Sequence, residues 1–208
     1  MNKKIQKNLM IQIIVLIVMG IVFVSTVFSW VATGRREHVV IFTTGNLQVR
    51  ATLYQANDID FDGVFQDTDY QEKTSDILIE NAASNQIYSF KLVVKNIGLL
   101  TGKLTINLRD ILFLDDNSNP EPTFSQAFEL KYSNLIDSLN PEEPTYTHLT
   151  SFPTSDYQIA LLNTLDSEEE VVILFQIIVG KKLTNEHYGY QFSISKIEVK
   201  LEQIEQTP

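Results

Sequence analysis

The chain contains no cysteine, which excludes disulfide bonds, thiolate metal ligands and thiol nucleophiles. Basic residues are also few: 16 Lys and Arg stand against 26 Asp and Glu, so the formal net charge is -10 at pH 7. Proteins that bind nucleic acid need clusters of Lys and Arg to contact phosphates. The acidic balance therefore predicts that nucleic acid is not a partner.

Histidine is scarce as well, with only His38, His148 and His187 in 208 residues. A zinc protease needs ligands that converge on one metal, as when two histidines lie one helical turn apart in H-E-x-x-H. The three histidines lack that spacing, and the chain has no G-x-S-x-G nucleophile motif. We therefore expect no catalytic residues, and solvated surface histidine is the simplest interpretation.

What the chain does contain indicates a folded protein. Hydrophobic residues make up 44% of it and aromatic residues 10%, which is not the composition of a disordered chain. A folded portion of roughly 180 residues buries about 70% of its unfolded surface, enough for a core without disulfides. The sequence shows no internal repeat and no second folded domain.

A basic N-terminus followed by a long apolar run is typical of an export signal. Lys3, Lys4 and Lys7 precede the run Leu9–Phe28, which the polar residue Gln12 interrupts. The run is close to the roughly 20 residues that span a bilayer, so a cleaved signal peptide and a retained membrane anchor are both open interpretations. In either case the lysines stay inside, which predicts an extracellular or cell-surface protein.

Small residues close the apolar run and favour cleavage. Val27 and Ser29 suit the two small positions of a signal-peptidase site, which places the cut before Trp30. The sequence thus predicts two regions: residues 1–29 as signal peptide or membrane anchor, and residues 30–208 as one extracellular domain.

The exported part shows the period-two alternation of half-buried β-strands. Asn96 and Gly98 mark a turn between two such segments, which predicts a pair of neighbouring antiparallel strands. The almost continuously apolar segment Glu170–Gly180 predicts a central strand. Inward-facing positions are predicted at Leu47, Val49, Ala51 and Leu53, at Tyr88, Phe90, Leu92 and Val94, and at Leu104, Ile106 and Leu108.

Two irregular features complete the expected fold. The apolar residues of the last strand change parity between Ile194 and Ile197, which predicts a β-bulge near Ser195 or Lys196. The segment from Ser155 onward predicts one short helix capped by that serine. No helix long enough for a parallel crossover is evident. The expected class is therefore all-β: a two-sheet antiparallel sandwich or jelly roll, preceded by an N-terminal hydrophobic signal or anchor helix.

Three motifs in one order resemble the TasA/camelysin family of exported proteins. Phe42, Gly45, Leu47 and Val49 match an F-x-x-G-x-L-x-V strand, and Val94, Asn96 and Gly98 match a V-x-N-x-G element. Asn185, Tyr188, Phe192 and Ile194 approximate the terminal strand motif, with His187 as an extra residue. The segment SWVATGRREH stands where the family has an aromatic-Asp step after the signal.

The resemblance implies a secreted subunit or accessory of extracellular biofilm-matrix fibres, with a jelly-roll fold. It implies processing by a SipW-type signal peptidase and association with further copies or other matrix subunits. The apolar run itself predicts contact with the membrane through the N-terminal helix before cleavage. A membrane-anchored extracellular binding module is the alternative function. A camelysin-type metallopeptidase is the second alternative, which the histidine spacing does not favour.

The stretch DIDFDG, Asp58–Gly63, raises the question of a calcium site. Calcium loops place oxygen ligands at positions 1, 3, 5, 7, 9 and 12, with Gly at position 6. The residues at those ligand positions are Asp58, Asp60, Asp62, Val64 (through its carbonyl), Gln66 and Asp69. Asp69 replaces the usual bidentate Glu, and Ile59 and Phe61 fill positions that are usually polar. A strand with a solvated acidic face is the other interpretation; no other cofactor is expected.

The segment Trp30–Phe42, just after the export signal, is the predicted assembly element. Its apolar, β-branched part can pair with the open sheet edge of a neighbouring subunit once the helix has been removed. The competing interpretation is that Val39–Phe42 begins the subunit's own first strand.

Overall fold

The computed structural model describes residues 19, 39–42, 47–56, 67–138, 143–180 and 182–204. The chain divides into two units, residues 1–36 and 37–208. In the first unit only Met19 is described, in helical conformation. The rest of the apolar run, together with Val27, Ser29 and Trp30 of the expected cleavage site, lies outside the described residues. Within the described ranges, no helix has the length and apolar character needed to cross a bilayer.

The second unit is built from strands. Three 3-10 turns accompany them among the described residues, at Asp67–Asp69, Pro122–Ala127 and Asn185–His187. The strands are β1 (Val39–Phe42), β2 (Val49–Ala56), β3 (Tyr70–Glu72), β4 (Ile77–Glu80), β5 (Ile87–Asn96), β6 (Gly102–Leu114), β7 (Phe128–Ser133), β8 (Ile136–Asp137), β9 (Tyr146–Leu149), β10 (Tyr157–Leu165), β11 (Glu170–Val179) and β12 (Gln191–Gln203).

These strands form two sheets. The five-stranded sheet has the order β1-β12-β6-β10, with β4 also paired to β12. The seven-stranded sheet has the order β3-β2-β5-β11-β7-β9, with β8 also paired to β11. The pairing of β1 with β12 is parallel, and the other pairings described for both sheets are antiparallel.

One hydrophobic core lies between the two sheets, as the alternation predicted. Leu92 on β5 and Ile106 on β6 are fully buried, and so are the other inward positions predicted for these strands except Tyr88, which is half-buried. Ring contacts cross the core: Phe128 on β7 lies 4.9 Å from Phe192 on β12, centroid to centroid. The all-β prediction is therefore confirmed, and β11 is the central strand expected at Glu170–Gly180, between β5 and β7.

The predicted hairpin of β5 and β6 is wrong, because the two strands belong to different sheets. Both bury an alternating apolar face in the same core, but from opposite sides. Alternation shows that a face is buried, and it does not distinguish a partner beside the strand from a partner across the core. The buried amide of Asn96 fixes the crossing, since its Nδ2 donates to the carbonyls of Leu100 (2.9 Å) and Leu165 (3.0 Å).

The predicted helix after Ser155 is also wrong. Residues Tyr157–Leu165 form β10, which pairs antiparallel with β6 and buries Ile159 and Leu165. Pairing with β6 satisfies backbone N–H and C=O groups that would otherwise form an open sheet edge. The free energy gained from this pairing outweighs the weak helical propensity of the segment. The pairing shifts register twice along the strand, at Gln158/Ala160 and at Leu162/Leu165.

Candidate functional site at the β12 edge

One edge of β12 is shared end to end by two short strands. β4 pairs antiparallel with the first part of β12, from Gln191 to Ile194. β1 pairs parallel with the second part, from Ile197 to Lys200. The change of partner falls at Ser195 and Lys196, where the sequence predicts a β-bulge.

The phase change predicted in β12 is confirmed, but it is not the predicted β-bulge, because β6 has a matching phase change and the two strands stay paired residue for residue on both sides of it. Ser195 and Lys196 are both turned away from the core, and so are the facing residues Arg109 and Asp110. Because each strand carries one extra residue, the register between β6 and β12 is the same on both sides of the interruption. Asp110 has a φ of 54°, the left-handed conformation that lets a non-glycine residue absorb such a kink.

The phase change in β6 is also visible in the sequence, although the prediction for β12 did not use it. Leu104, Ile106 and Leu108 have one parity, whereas Ile111 and Phe113 have the other. Both sets are buried. Two matching phase changes predict facing irregularities in paired strands.

A polar network holds the kink. The Arg109 guanidinium donates to Glu198 Oε2 from Nε (3.0 Å) and Nη2 (2.7 Å), and to Asp156 Oδ2 from Nη1 (2.5 Å). Asn107 Nδ2 donates to the same Glu198 oxygen at 2.8 Å. The Glu198 side chain is only 14% exposed, so its charge is well shielded from water and depends on these donors.

Hydrogen bonds within the network stabilise the ionised forms of its carboxyl groups. Burial raises the pKa of the Glu198 carboxyl, but the hydrogen bonds from Arg109 and Asn107 outweigh it, so the pKa lies below its ordinary value. The hydrogen bond from Arg109 is the main cause that lowers the pKa of Asp156. A carboxyl with a lowered folded-state pKa stabilises the fold above its unfolded pKa, and this contribution is lost as pH falls through the folded value.

We expect Glu198→Gln to lower the free energy of unfolding by about 1–2 kcal/mol at pH 7, because it removes hydrogen bonds to a charged group. The gap between the two proteins should close as pH falls through the lowered folded-state pKa of Glu198, where Glu198 itself becomes protonated. Urea denaturation across the pH range measures both effects. Glu202→Gln is the control, because Glu202 lies further along β12 in an exposed pair with Lys200. A gap that does not change with pH would contradict the expected charge effect.

β1 lies at the rim of this edge. Val39 is half-buried and packs against the core, whereas Ile41 is 36% exposed. The backbone of β1 is in register with β12 over four residues, Val39 with Ile197 through Phe42 with Lys200. The strand therefore completes the subunit's own sheet, as the competing interpretation of this segment held.

Of the predicted calcium ligands, the structure describes only Asp69. Asp58, Asp60, Asp62, Val64 and Gln66 lie outside the described residues. Asp69 is half-buried at the end of the 3-10 turn that leads into β3. The calcium site stays a prediction.

The histidines are separated in the fold. His148 on β9 contacts Glu129 on β7, with 2.7 Å between Nε2 and Oε2, whereas His187 lies in the turn before β12. His38 lies outside the described residues. Across the described part of the chain, no group of three or more His, Asp or Glu side chains is placed to hold a metal ion. The expectation that the protein is not an enzyme stays a prediction.

Comparison with known proteins assigns no family. No family model matches the chain, and no curated protein matches it. Among solved structures, the enzymatically active domain of tailspike protein 4 of bacteriophage CBA120 is similar, with 11% identity and a TM-score of 0.33. The match covers 76% of this chain and 19% of that chain, so this chain spans less than a fifth of the length of the tailspike protein. A likeness at that TM-score carries no argument about fold or function.

Proposed function

We propose that the protein is an exported structural subunit of extracellular matrix fibres, of the TasA/camelysin type and with a jelly-roll fold. Residues 1–29 serve as signal peptide or membrane anchor, and a SipW-type signal peptidase frees the subunit before Trp30. The order of the three sequence motifs supports this assignment, together with the all-β architecture of two sheets.

The observation that carries the proposal is the position of β1. It is an edge strand of four residues, the first strand among the described residues, and its partner is β12. If β1 leaves, β12 exposes unpaired backbone groups from Ile197 to Lys200, and β1 of a second copy can make the same hydrogen bonds there. Exchange of an identical element costs little, and a head-to-tail exchange that does not close grows a filament.

Cleavage is the proposed switch for this exchange. While the N-terminal helix holds the chain in the membrane, β1 cannot reach a neighbour, and it stays on its own subunit. Once residues 1–29 are removed, the strand is near a free chain end and can exchange.

The test compares one protein that begins at Trp30 with one that begins at Thr43. We expect electron microscopy to show filaments for the longer protein, and monomers that remain folded for the shorter one. Far-ultraviolet circular dichroism establishes that both are folded. Filaments formed as readily by the shorter protein would disprove strand exchange by β1, and a longer protein that stays monomeric under all conditions would disprove the fibre subunit.

An anchored binding module is the second candidate function. The observation that favours it is Tyr188, an aromatic side chain that is 83% exposed to solvent. Exposed tyrosines supply contact area and a hydrogen-bonding hydroxyl at binding surfaces.

A further inference from the structure

A groove opens beside Tyr188 at the turns that connect the two sheets. It encloses about 510 Å³ between residues 81–84, which link β4 to β5, and residues 183–188, which link β11 to β12. Small-ligand sites have volumes of about 300–1,000 Å³ and combine apolar walls with a few polar groups. Ala82 and Leu183 supply apolar surface here, and Asn81, Ser84, Thr184 and His187 supply polar groups.

Hydrogen bonds hold the first wall in one conformation. The Asn85 N–H donates to the Val179 carbonyl at 2.8 Å, and the Ala83 N–H donates to Gln86 Oε1 at 3.1 Å. Asn81 and Asn85 have φ values of 51° and 68°, which are typical of asparagine in tight turns. A wall fixed in this way does not have to become ordered when a ligand binds.

The second wall holds His187 in one orientation and one tautomer. The Thr184 backbone N–H, which can only donate, lies 3.1 Å from Nδ1, and the Thr184 hydroxyl oxygen lies 3.0 Å from the same nitrogen. Nδ1 is therefore an acceptor, and the neutral ring carries its proton on Nε2. The ring is stacked on Phe124, with centroids 5.2 Å apart, and meets the edge of Tyr190. Within the described residues Nε2 makes no hydrogen bond, so it is available to donate to a ligand.

Tyr188 stands at the rim of this groove. The next residue, Gly189, has a φ of 83°, and a Cβ there would come within 3.2 Å of Asp116. The turn therefore needs glycine both for its conformation and for the close approach of the loop at Asp116. The Tyr188 side chain is exposed, so one face of its ring can carry a ligand.

The electrostatics of the groove argue against an anionic ligand. Burial raises the pKa of Tyr190, and the carboxylates of Glu121, Asp115, Asp116 and Glu186 raise it further, which shows how acidic this end of the fold is. Such a field repels anionic ligands. The same field attracts cations, and for that reason the test below includes a cationic probe.

We infer that this groove binds one uncharged sugar residue of a polysaccharide, stacked on Tyr188 and hydrogen-bonded to His187 Nε2. A sugar ring combines an apolar face of C–H groups, which suits an aromatic ring, with hydroxyls that accept from imidazole and exchange hydrogen bonds with amide and hydroxyl side chains. The inference does not depend on fibre assembly, because β1 contributes no residue to the groove.

The test uses the full chain in a detergent whose headgroup contains no sugar. Cellotriose, maltotriose and chitotriose are titrated and followed by saturation-transfer NMR, with tri-galacturonate as the anionic probe and tetramethylammonium as the cationic one. We expect at least one uncharged trisaccharide to bind in the millimolar range, with Tyr188→Ala weakening it about tenfold or more and Tyr188→Phe retaining it.

Tyr146→Ala is the matched control, because Tyr146 is another exposed tyrosine, at 43%, that does not line the groove. Its affinity should equal that of the unmodified chain. The inference is overturned if none of the three uncharged sugars binds, if Tyr188→Ala binds as well as the unmodified chain, or if either charged probe binds more tightly than the uncharged sugars.

Discussion

Filaments of a chain that carries Phe42→Cys together with Lys200→Cys should yield a ladder of disulfide-linked oligomers on oxidation. The monomer of the same chain should yield only an internal disulfide. Phe42 and Lys200 are register partners across β1 and β12. Paired strands lie about 4.8 Å apart, within the Cα separations of about 4.4–6.8 Å that a disulfide accepts. Non-reducing electrophoresis measures the outcome.

The chain is well suited to this experiment. It has no cysteine of its own, so every disulfide reports the engineered pair. Lys200 forms an ion pair with Glu202 at 2.7 Å, and both side chains are nearly half exposed, so its replacement has little cost.

Leu78→Cys with Ser193→Cys is the matched control. These residues are register partners across β4 and β12, on the same edge of the same sheet. Because β4 lies within the folded chain and not at its start, this pair should form an internal disulfide in monomer and filament alike. Filaments in which the Phe42–Lys200 pair also stays internal would show that subunits associate through another surface.

Asn96→Leu should lower the free energy of unfolding by about 3 kcal/mol, the largest loss of stability expected from one substitution here. The Asn96 side chain is fully buried, and its amide bonds the carbonyls of Leu100 and Leu165, while its Oδ1 accepts from the Gly98 N–H at 3.0 Å. Leucine has a similar size but no polar atoms. It leaves the carbonyl of Leu165, which lies in a buried hydrogen bond, and the part-buried carbonyl of Leu100 without these donors. Loss of a buried partner costs about 1–3 kcal/mol.

Urea denaturation of the chain beginning at Trp30 measures this loss. The control is Gln48→Ala. Gln48 has an exposed side chain, and its carbonyl accepts from the N–H groups of Ile97 (2.8 Å) and Gly98 (3.0 Å) in the same crossing. Since that contact is through the backbone, the control should change stability by no more than about 0.5 kcal/mol. Equal stabilities for the two variants would show that the Asn96 amide does not hold the crossing.

Asn96 also illustrates what a motif can and cannot predict. The V-x-N-x-G element at Val94–Gly98 predicts a turn, and the chain does turn there. The pattern does not show that the asparagine bonds a carbonyl 69 positions away, at Leu165, and thereby directs β6 into the opposite sheet. Turn residues specify local backbone conformation, and the destination of the next strand depends on distant partners.

The sequence by itself determined most of the residues of β2, β5 and β6 that face the core, that Glu170–Gly180 is a central strand, and that β12 changes phase near Ser195. These are local properties, because successive side chains of a strand point to opposite faces wherever the strand pairs. Only the tertiary structure decided that β5 and β6 belong to different sheets, that Tyr157–Leu165 is a strand, and that β1 and β4 share one edge of β12. It also brought Arg109 to Glu198, 89 positions away. The physical reason is that every strand presents the same backbone N–H and C=O groups along its edge. Which strands pair therefore depends on how the whole chain packs around its core.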